Sequence, residues 1–187
     1  MFRSASYDHA EQRPDAARDH DDLAILLVNL GTPAAATPAA VRPYLKEFLW
    51  DRRVVEAPRV LWWLILHGIV LPFRSKRSAR AYSSIWMPQG SPLLHYSERL
   101  AQQMQTEMSA RFPGCTVALA MTYGQPAINA ALEQLRQQGK HRLLLVPLYP
   151  QYSATTTAAV FDAVTRQLQS FRWLPELRGV NQYYQHD

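Results

Sequence analysis

Apolar residues come along this chain in two rhythms. "LAILLVNLG", Leu23 to Gly31, is a continuous apolar run ending in Gly-Thr-Pro, the pattern of a strand buried on both faces. "RLLLVPLYP", Arg142 to Pro150, repeats that pattern, and "TVALAMTYG", Thr116 to Gly124, alternates Val117, Leu119 and Met121 as a further strand. "LRGVNQYY", Leu177 to Tyr184, reads as a fourth. Elsewhere the spacing lengthens to that of helices. Thr37-Pro38 offers an N-cap and a first helical position for a helix reaching about Leu49, with Pro43 predicting that its regular part starts late. Leu61 to Val70 predicts a second helix, and "RSKRSARAY" a basic connector or short helix. Ser91-Pro92 repeats the cap-then-proline signal, and Leu100, Met104 and Met108 follow as one core-facing stripe. Gln125-Pro126 opens the next helix, with Ile128, Leu132 and Leu135 on one side and Gly139 as its C′ residue. Val160, Val164 and Leu168 mark the last one.

Strands and helices therefore alternate over short connections. That predicts an α/β fold: a parallel sheet with helices on both faces, a Rossmann-like three-layer sandwich with right-handed crossovers. No G-x-G-x-x-G follows the first strand and no G-x-x-x-x-G-K-[ST] occurs, so dinucleotide and P-loop readings lose their main support.

Composition changes the picture at three points. Residues 1–22 are polar, with three Arg against six Asp/Glu and no apolar core, and predict a disordered leader rather than a signal peptide. Setting them aside raises the formal charge from +5 to +8, and nine basic residues against three acidic ones lie between Arg42 and Arg80. Within that basic region sits "LWWLILHGIVLPF", residues 61–73, too short to cross a bilayer. Leu61, Trp62, Trp63, Leu64 and Ile65 fit either an ordinary core helix or an interfacial segment between Arg59 and Arg74. The same apolar segment argues against a nucleic-acid partner for the basic stretch. The single cysteine, Cys115, excludes a disulfide framework and any cysteine-built zinc or iron–sulfur site within the chain, and suggests a reducing, cytoplasmic setting.

Ligands of open parallel sheets sit beyond the carboxyl ends of the strands. Three such ends are legible: "NLGTP" (Asn29 to Pro33), "TYGQP" (Thr122 to Pro126) and "YPQYS" (Tyr149 to Ser153). They carry rings, amides and hydroxyls, and no Asp or Glu. Gly31 and Gly124 are expected to let the backbone approach a ligand. Such a rim suits a large, flat, apolar ligand, and Arg52, Arg53, Arg74, Lys76, Arg77 and Arg80 suit carboxylate tails on it. Ser153, Thr155 and Thr156 serve equally well as caps of the following helix.

Five separated segments resemble the ferrochelatase family: "ILLVNLGTP", "YLKEFLWDRRVVE…P", "Y…IW…GSPL", "Y…P.I..AL..L...G" and "LLLVPLYPQYS.TTT". They span Leu23 to about Tyr184. The resemblance implies insertion of ferrous iron into a porphyrin, protoporphyrin IX or coproporphyrin III, in heme biosynthesis. It also implies a chelatase-like fold of two similar α/β domains with the porphyrin in the cleft between them. On that resemblance residues 23–187 form the N-terminal, porphyrin-binding domain, and the C-terminal domain is expected to be absent. Leu30 falls over the porphyrin face as a steric wall that cannot ligate. Arg52 and Arg53 lie in the loop near the propionates, Tyr82 and Ser91 at hydrogen-bonding positions of the periphery, and Thr122 and Tyr123 in the same pocket. Tyr149 and Tyr152 complete a porphyrin-facing wall. Residues 61–73 correspond to the apolar lip that touches the membrane, which adds a peripheral contact with anionic membrane to a cytoplasmic location.

The family's histidine, in a segment like S-x-H-G-x-P, and its glutamate do not occur here. His9, His20, His67, His95, His141 and His186 lie in no such sequence and show no metal-ligand spacing. The expectation is no catalytic residue and no metal site in this chain, no cofactor required of it, and ferrous iron and porphyrin as substrates of the parent enzyme. A non-catalytic tetrapyrrole-binding or membrane-associated module is the alternative.

Overall fold

The computed structural model describes residues 20–185; the expected leader lies outside them up to residue 19, as do His9 and His186. The last three residues of that expected leader are bound to the domain. His20 meets Phe112 edge-on at 5.0 Å, and the Lys140 Nζ donates to the Asp21 carbonyl at 2.6 Å. Asp22 accepts from the Arg142 guanidinium at 2.8 and 2.6 Å.

Four strands form one parallel sheet: β1 (Leu23–Thr32), β2 (Thr116–Gly124), β3 (Arg142–Pro147) and β4 (Glu176–Gly179), in the order β2-β1-β3-β4. Ala24 pairs with Thr116 on one side of β1 and with Leu143 on the other. The unbroken apolar run of β1 follows from covering both faces. Ala24, Leu26 and Val28 pack with Leu143 and Leu145 under α5 (Ile128–Gln137) and α6 (Ala159–Leu168). Ile25 and Leu27 point the other way, toward Met104 and Met108 of α4 (Pro92–Arg111). Of the expected stripe on α4, Met104 and Met108 face the core; Leu100 is exposed, and Ala101 packs there in its place.

A third cluster gathers Val41, Tyr44, Leu45 and Leu49 of α1 (Pro38–Trp50) with Leu66, Leu71 and Ala79, around Leu30 and Tyr123 at the carboxyl ends of β1 and β2. α1 starts at Pro38 despite Pro43, because Thr37 caps it: its Oγ1 accepts from the Ala40 N–H at 3.3 Å and its carbonyl from Val41 at 2.9 Å.

The apolar segment and the basic connector are one helical unit. α2 (Arg59–Ile65) passes through a π-helical turn, Leu66–Val70, into α3 (Leu71–Ser83). The Leu71 N–H bonds to the carbonyl of Leu66, five residues back. The wide turn accommodates Pro72, which has no N–H to continue the ordinary ladder.

α5 ends as expected. Gly139, at φ +72°, donates to the Arg136 carbonyl at 3.0 Å, and Lys140 to Leu135 at 3.0 Å, a Schellman closure. β4 starts one residue before the expected strand, Leu177 to Tyr184, and is shorter than it. After Gly179, Val180 makes a last bond to the Leu145 carbonyl at 3.0 Å, and the chain then meets the loop beyond β3, where the Tyr183 N–H bonds the Pro150 carbonyl at 2.9 Å.

Candidate functional site at the carboxyl edge

The three segments expected at the rim lie together at the carboxyl edge, but their side chains divide into three groups. In the first, Thr122 and Tyr123 of β2 line a cleft of about 410 Å³ with Arg52, Arg59, Glu47, Asp51, Asp162 and Arg166. α6 supplies Asp162 and Arg166, which the sequence reading missed. Both sit on the solvent side of an amphipathic helix whose apolar face alone stands out in the pattern.

The carboxylates that surround this cleft correct the expectation of an uncharged rim, and each is already engaged. Asp162 accepts from Arg53 Nε at 2.7 Å and Nη2 at 3.0 Å. Asp51 accepts from the Arg53 amide at 2.7 Å and from the Tyr123 hydroxyl at 2.9 Å. Glu47 takes the Gly124 amide at 2.9 Å. Arg53, expected near the propionates, is thus paired to α6, and its bidentate bond holds the Asp162 carboxyl below the usual range. Arg52 is exposed and has no ion-pair partner among the described residues. Arg59 lies over the Trp50 ring at 3.8 Å and donates to the Trp50 carbonyl at 2.5 Å.

The second group lies around Leu30. The Tyr44 hydroxyl donates to the Gly31 carbonyl at 3.2 Å, and Tyr82 meets the Tyr44 ring edge-on at 6.3 Å. Burial, then the neighbouring Tyr82, pushes the Tyr44 phenol up. Burial and the Asp51 carboxylate do the same for Tyr123. These hydroxyls stay neutral at ordinary pH. Ser91, also expected at the periphery, is buried at the N-cap of α4, where its side chain makes no capping bond.

The third group is an open recess of about 480 Å³ lined by Tyr149, Pro150, Tyr152, Ser153, Thr156 and Tyr184. Tyr152 is exposed, whereas the Tyr149 hydroxyl is buried beside Thr122 and makes no well-formed hydrogen bond among the described residues; burial raises its pKa to about 12 against the opposing pull of Thr122. Tyr184 escaped the sequence reading because its segment reads as a strand. Ser153 caps the following turn through the Thr155 amide at 3.3 Å, so its hydroxyl has a local role.

Gly31 and Gly124 have positive φ, +106° and +83°, but what approaches them is protein. A Cβ on Gly31 would strike the Tyr123 carbonyl oxygen, and one on Gly124 would lie 2.9 Å from the Thr32 carbonyl oxygen. The glycines bring β1 and β2 together at the rim rather than a ligand to the backbone.

The lip has a buried base and an apolar outer face. Trp62 is half-buried and donates Nε1 to the Leu49 carbonyl at 2.8 Å. Ile65 is half-buried and Leu66 fully so. Leu61, Trp63, Leu64, Ile69 and Phe73 are exposed, the last by 74%. A helix buried in the core would cover that face, which here is exposed. No helix among the described residues is long and apolar enough to cross a membrane.

The comparisons with known proteins agree with this architecture. Residues 22–187 match the family model described as Ferrochelatase. The chain belongs to the ferrochelatase family. It is 53% identical over 163 residues to the ferrochelatase of Thioalkalivibrio sulfidiphilus, covering 87% of this chain and 44% of that protein. It is 52% identical over 170 residues to that of Nitrosococcus oceani, covering 89% and 46%. With that of Hamiltonella defensa it shares 53% over 164 residues, covering 88% and 50%. The chain therefore spans about half the length of the curated ferrochelatases it matches. Among its described residues no group of three or more His, Cys, Asp and Glu could hold a metal ion.

Proposed function

We propose that the chain serves the insertion of ferrous iron into a porphyrin and supplies the N-terminal, porphyrin-binding wall of the enzyme. The observation that carries this reading is the family match over residues 22–187. The chemistry of the carboxyl edge supports it. Metalation removes two pyrrole N–H protons, and the phenols of Tyr44 and Tyr123 are held too basic to ionise and take them up. Half-buried Leu30, backed by the buried rings of Tyr44 and Tyr123, offers apolar surface to a flat macrocycle, and Arg52 offers a guanidinium to a carboxylate tail. Proton removal and metal delivery then belong to groups outside this chain, in agreement with the lack of the S-x-H-G-x-P-like segment.

The lip supports peripheral membrane contact from a cytoplasmic location. Its exposed Leu61, Trp63, Leu64 and Phe73 precede Arg74, Lys76, Arg77 and Arg80, the combination that binds an anionic interface. A second reading for the chain on its own is a tetrapyrrole-binding module without turnover, motivated by the lack of the S-x-H-G-x-P-like segment in its sequence.

Anaerobic incubation with ferrous iron and either protoporphyrin or coproporphyrin separates the two. A polypeptide carrying both halves is expected to insert iron. The 187-residue chain is expected to show porphyrin quenching of its five tryptophans without insertion. Failure of the longer polypeptide with both porphyrins would overturn the enzymatic reading, and turnover by the short chain would overturn the assignment of catalysis elsewhere.

A further inference from the structure

The ladder between β1 and β2 pairs Asn29 with Met121 and resumes with Gly31 and Tyr123, passing over Leu30. The Leu30 amide, beyond the end of β3, donates to the Oδ1 of Asn29 at 2.8 Å. The Nδ2 of the same side chain donates to the Oγ of Ser97, on α4, at 3.0 Å. The Asn29 carbonyl accepts from the Thr122 hydroxyl at 3.1 Å. Leu30 is thus framed by a side chain, a helix and the neighbouring strand.

Ser97 decides which way this frame points. It is buried, and its one hydroxyl proton goes to the Leu93 carbonyl at 2.7 Å. Only lone pairs are left toward Asn29, so the amide must present its NH₂ to Ser97 and its oxygen to the Leu30 N–H. The hydroxyl of Thr122, expected to touch porphyrin, is spent on the same frame.

We infer that Ser97, through Asn29, is a positioning residue that fixes the Leu30 wall against the porphyrin, and so helps set how tightly the macrocycle is held. The inference rests on the porphyrin-binding reading above. Ser97 itself lies one hydrogen bond from Asn29 and two from the Leu30 amide, and is placed on no ligand. Its effect on affinity must therefore pass through Leu30.

A double-mutant cycle reads that dependence. Porphyrin affinity is measured by tryptophan quenching for the unaltered chain, Ser97→Ala, Leu30→Ala and the double variant. Ser97→Ala is expected to weaken binding about three- to tenfold, the size of one lost hydrogen bond, and to have almost no further effect once Leu30 is Ala. Hydrogen exchange at the Leu30 amide is expected to accelerate in Ser97→Ala, whether or not porphyrin is present. An unchanged affinity, an equal loss in both backgrounds, or an unchanged Leu30 exchange rate would each overturn the inference while leaving the porphyrin reading intact. No binding by the unaltered chain would overturn the porphyrin reading, and this inference with it.

Discussion

Two tyrosines at the carboxyl edge occupy opposite hydrogen-bonding situations. Tyr123 donates to a carboxylate, whereas Tyr149 buries a hydroxyl that makes no well-formed hydrogen bond among the described residues. Tyr123→Phe is expected to cost about 1–3 kcal/mol in chemical denaturation, because Asp51 loses a charge-assisted bond. Tyr149→Phe is expected to leave stability unchanged or raise it by up to about 1 kcal/mol, since an unsatisfied polar group is removed. A loss from Tyr149→Phe equal to that from Tyr123→Phe would show that the Tyr149 hydroxyl is bonded after all. The neighbouring arginines differ in a comparable way. Arg53 is committed to Asp162 and Arg52 is open, so Arg52→Ala is expected to weaken porphyrin binding more than Arg53→Ala. The difference is expected to shrink as salt rises from low to physiological ionic strength. Equal effects of the two substitutions, independent of salt, would remove the carboxylate role from Arg52. The sequence places these arginines side by side with no means of telling them apart, because the partner of Arg53 lies 109 residues away.

At the scale of elements, the lip shows what a pattern can and cannot carry. The stretch from Leu61 to Val70 is legible as helical, but not its continuation through a π turn into the basic segment. Pro72 reads as an interruption in sequence, and only the hydrogen bond from Leu71 back to Leu66 makes it compatible with continuous helix. The two tryptophans look equivalent in the sequence. In the fold Trp62 is tied to the end of α1 and Trp63 is 51% exposed. Trp63→Ser with Leu64→Ser is expected to lower sedimentation with anionic vesicles while leaving the melting temperature within a few degrees. Trp62→Ser is expected to lower stability by about 2 kcal/mol or more, through lost packing and a lost hydrogen bond. Undiminished vesicle association of the Trp63/Leu64 variant would make the exposed face irrelevant to membranes. The stripe on α4 and the length of β4 were legible only approximately. Leu100 and Ala101 are both compatible with helical spacing, and nothing in the sequence after Gly179 marks that Tyr183 and Tyr184 bond the Pro150 carbonyl instead of extending the strand.

The whole molecule follows from the alternation of buried strands and amphipathic helices, and that much is present in the sequence. β1 covered on both faces, the parallel direction of the strands and a rim at their carboxyl ends follow from it, whereas the order β2-β1-β3-β4 does not. The grouping of the rim side chains does not. It depends on α6 swinging Asp162 and Arg166 beside β2, and on the segment after β4 returning Tyr184 to Tyr149 and Tyr152. The two rim glycines, read as openings for a ligand, are where β1 and β2 close on one another.

Hydrogen exchange of the 187-residue chain, read by mass spectrometry with and without protoporphyrin, tests the central claim most directly. The account predicts slower exchange on porphyrin addition in residues 29–33, 122–126 and 149–153, with the amino-terminal ends of the same strands unchanged. Protection confined to the amino-terminal edge of the sheet, or no protection at a concentration that quenches the tryptophans, would contradict it.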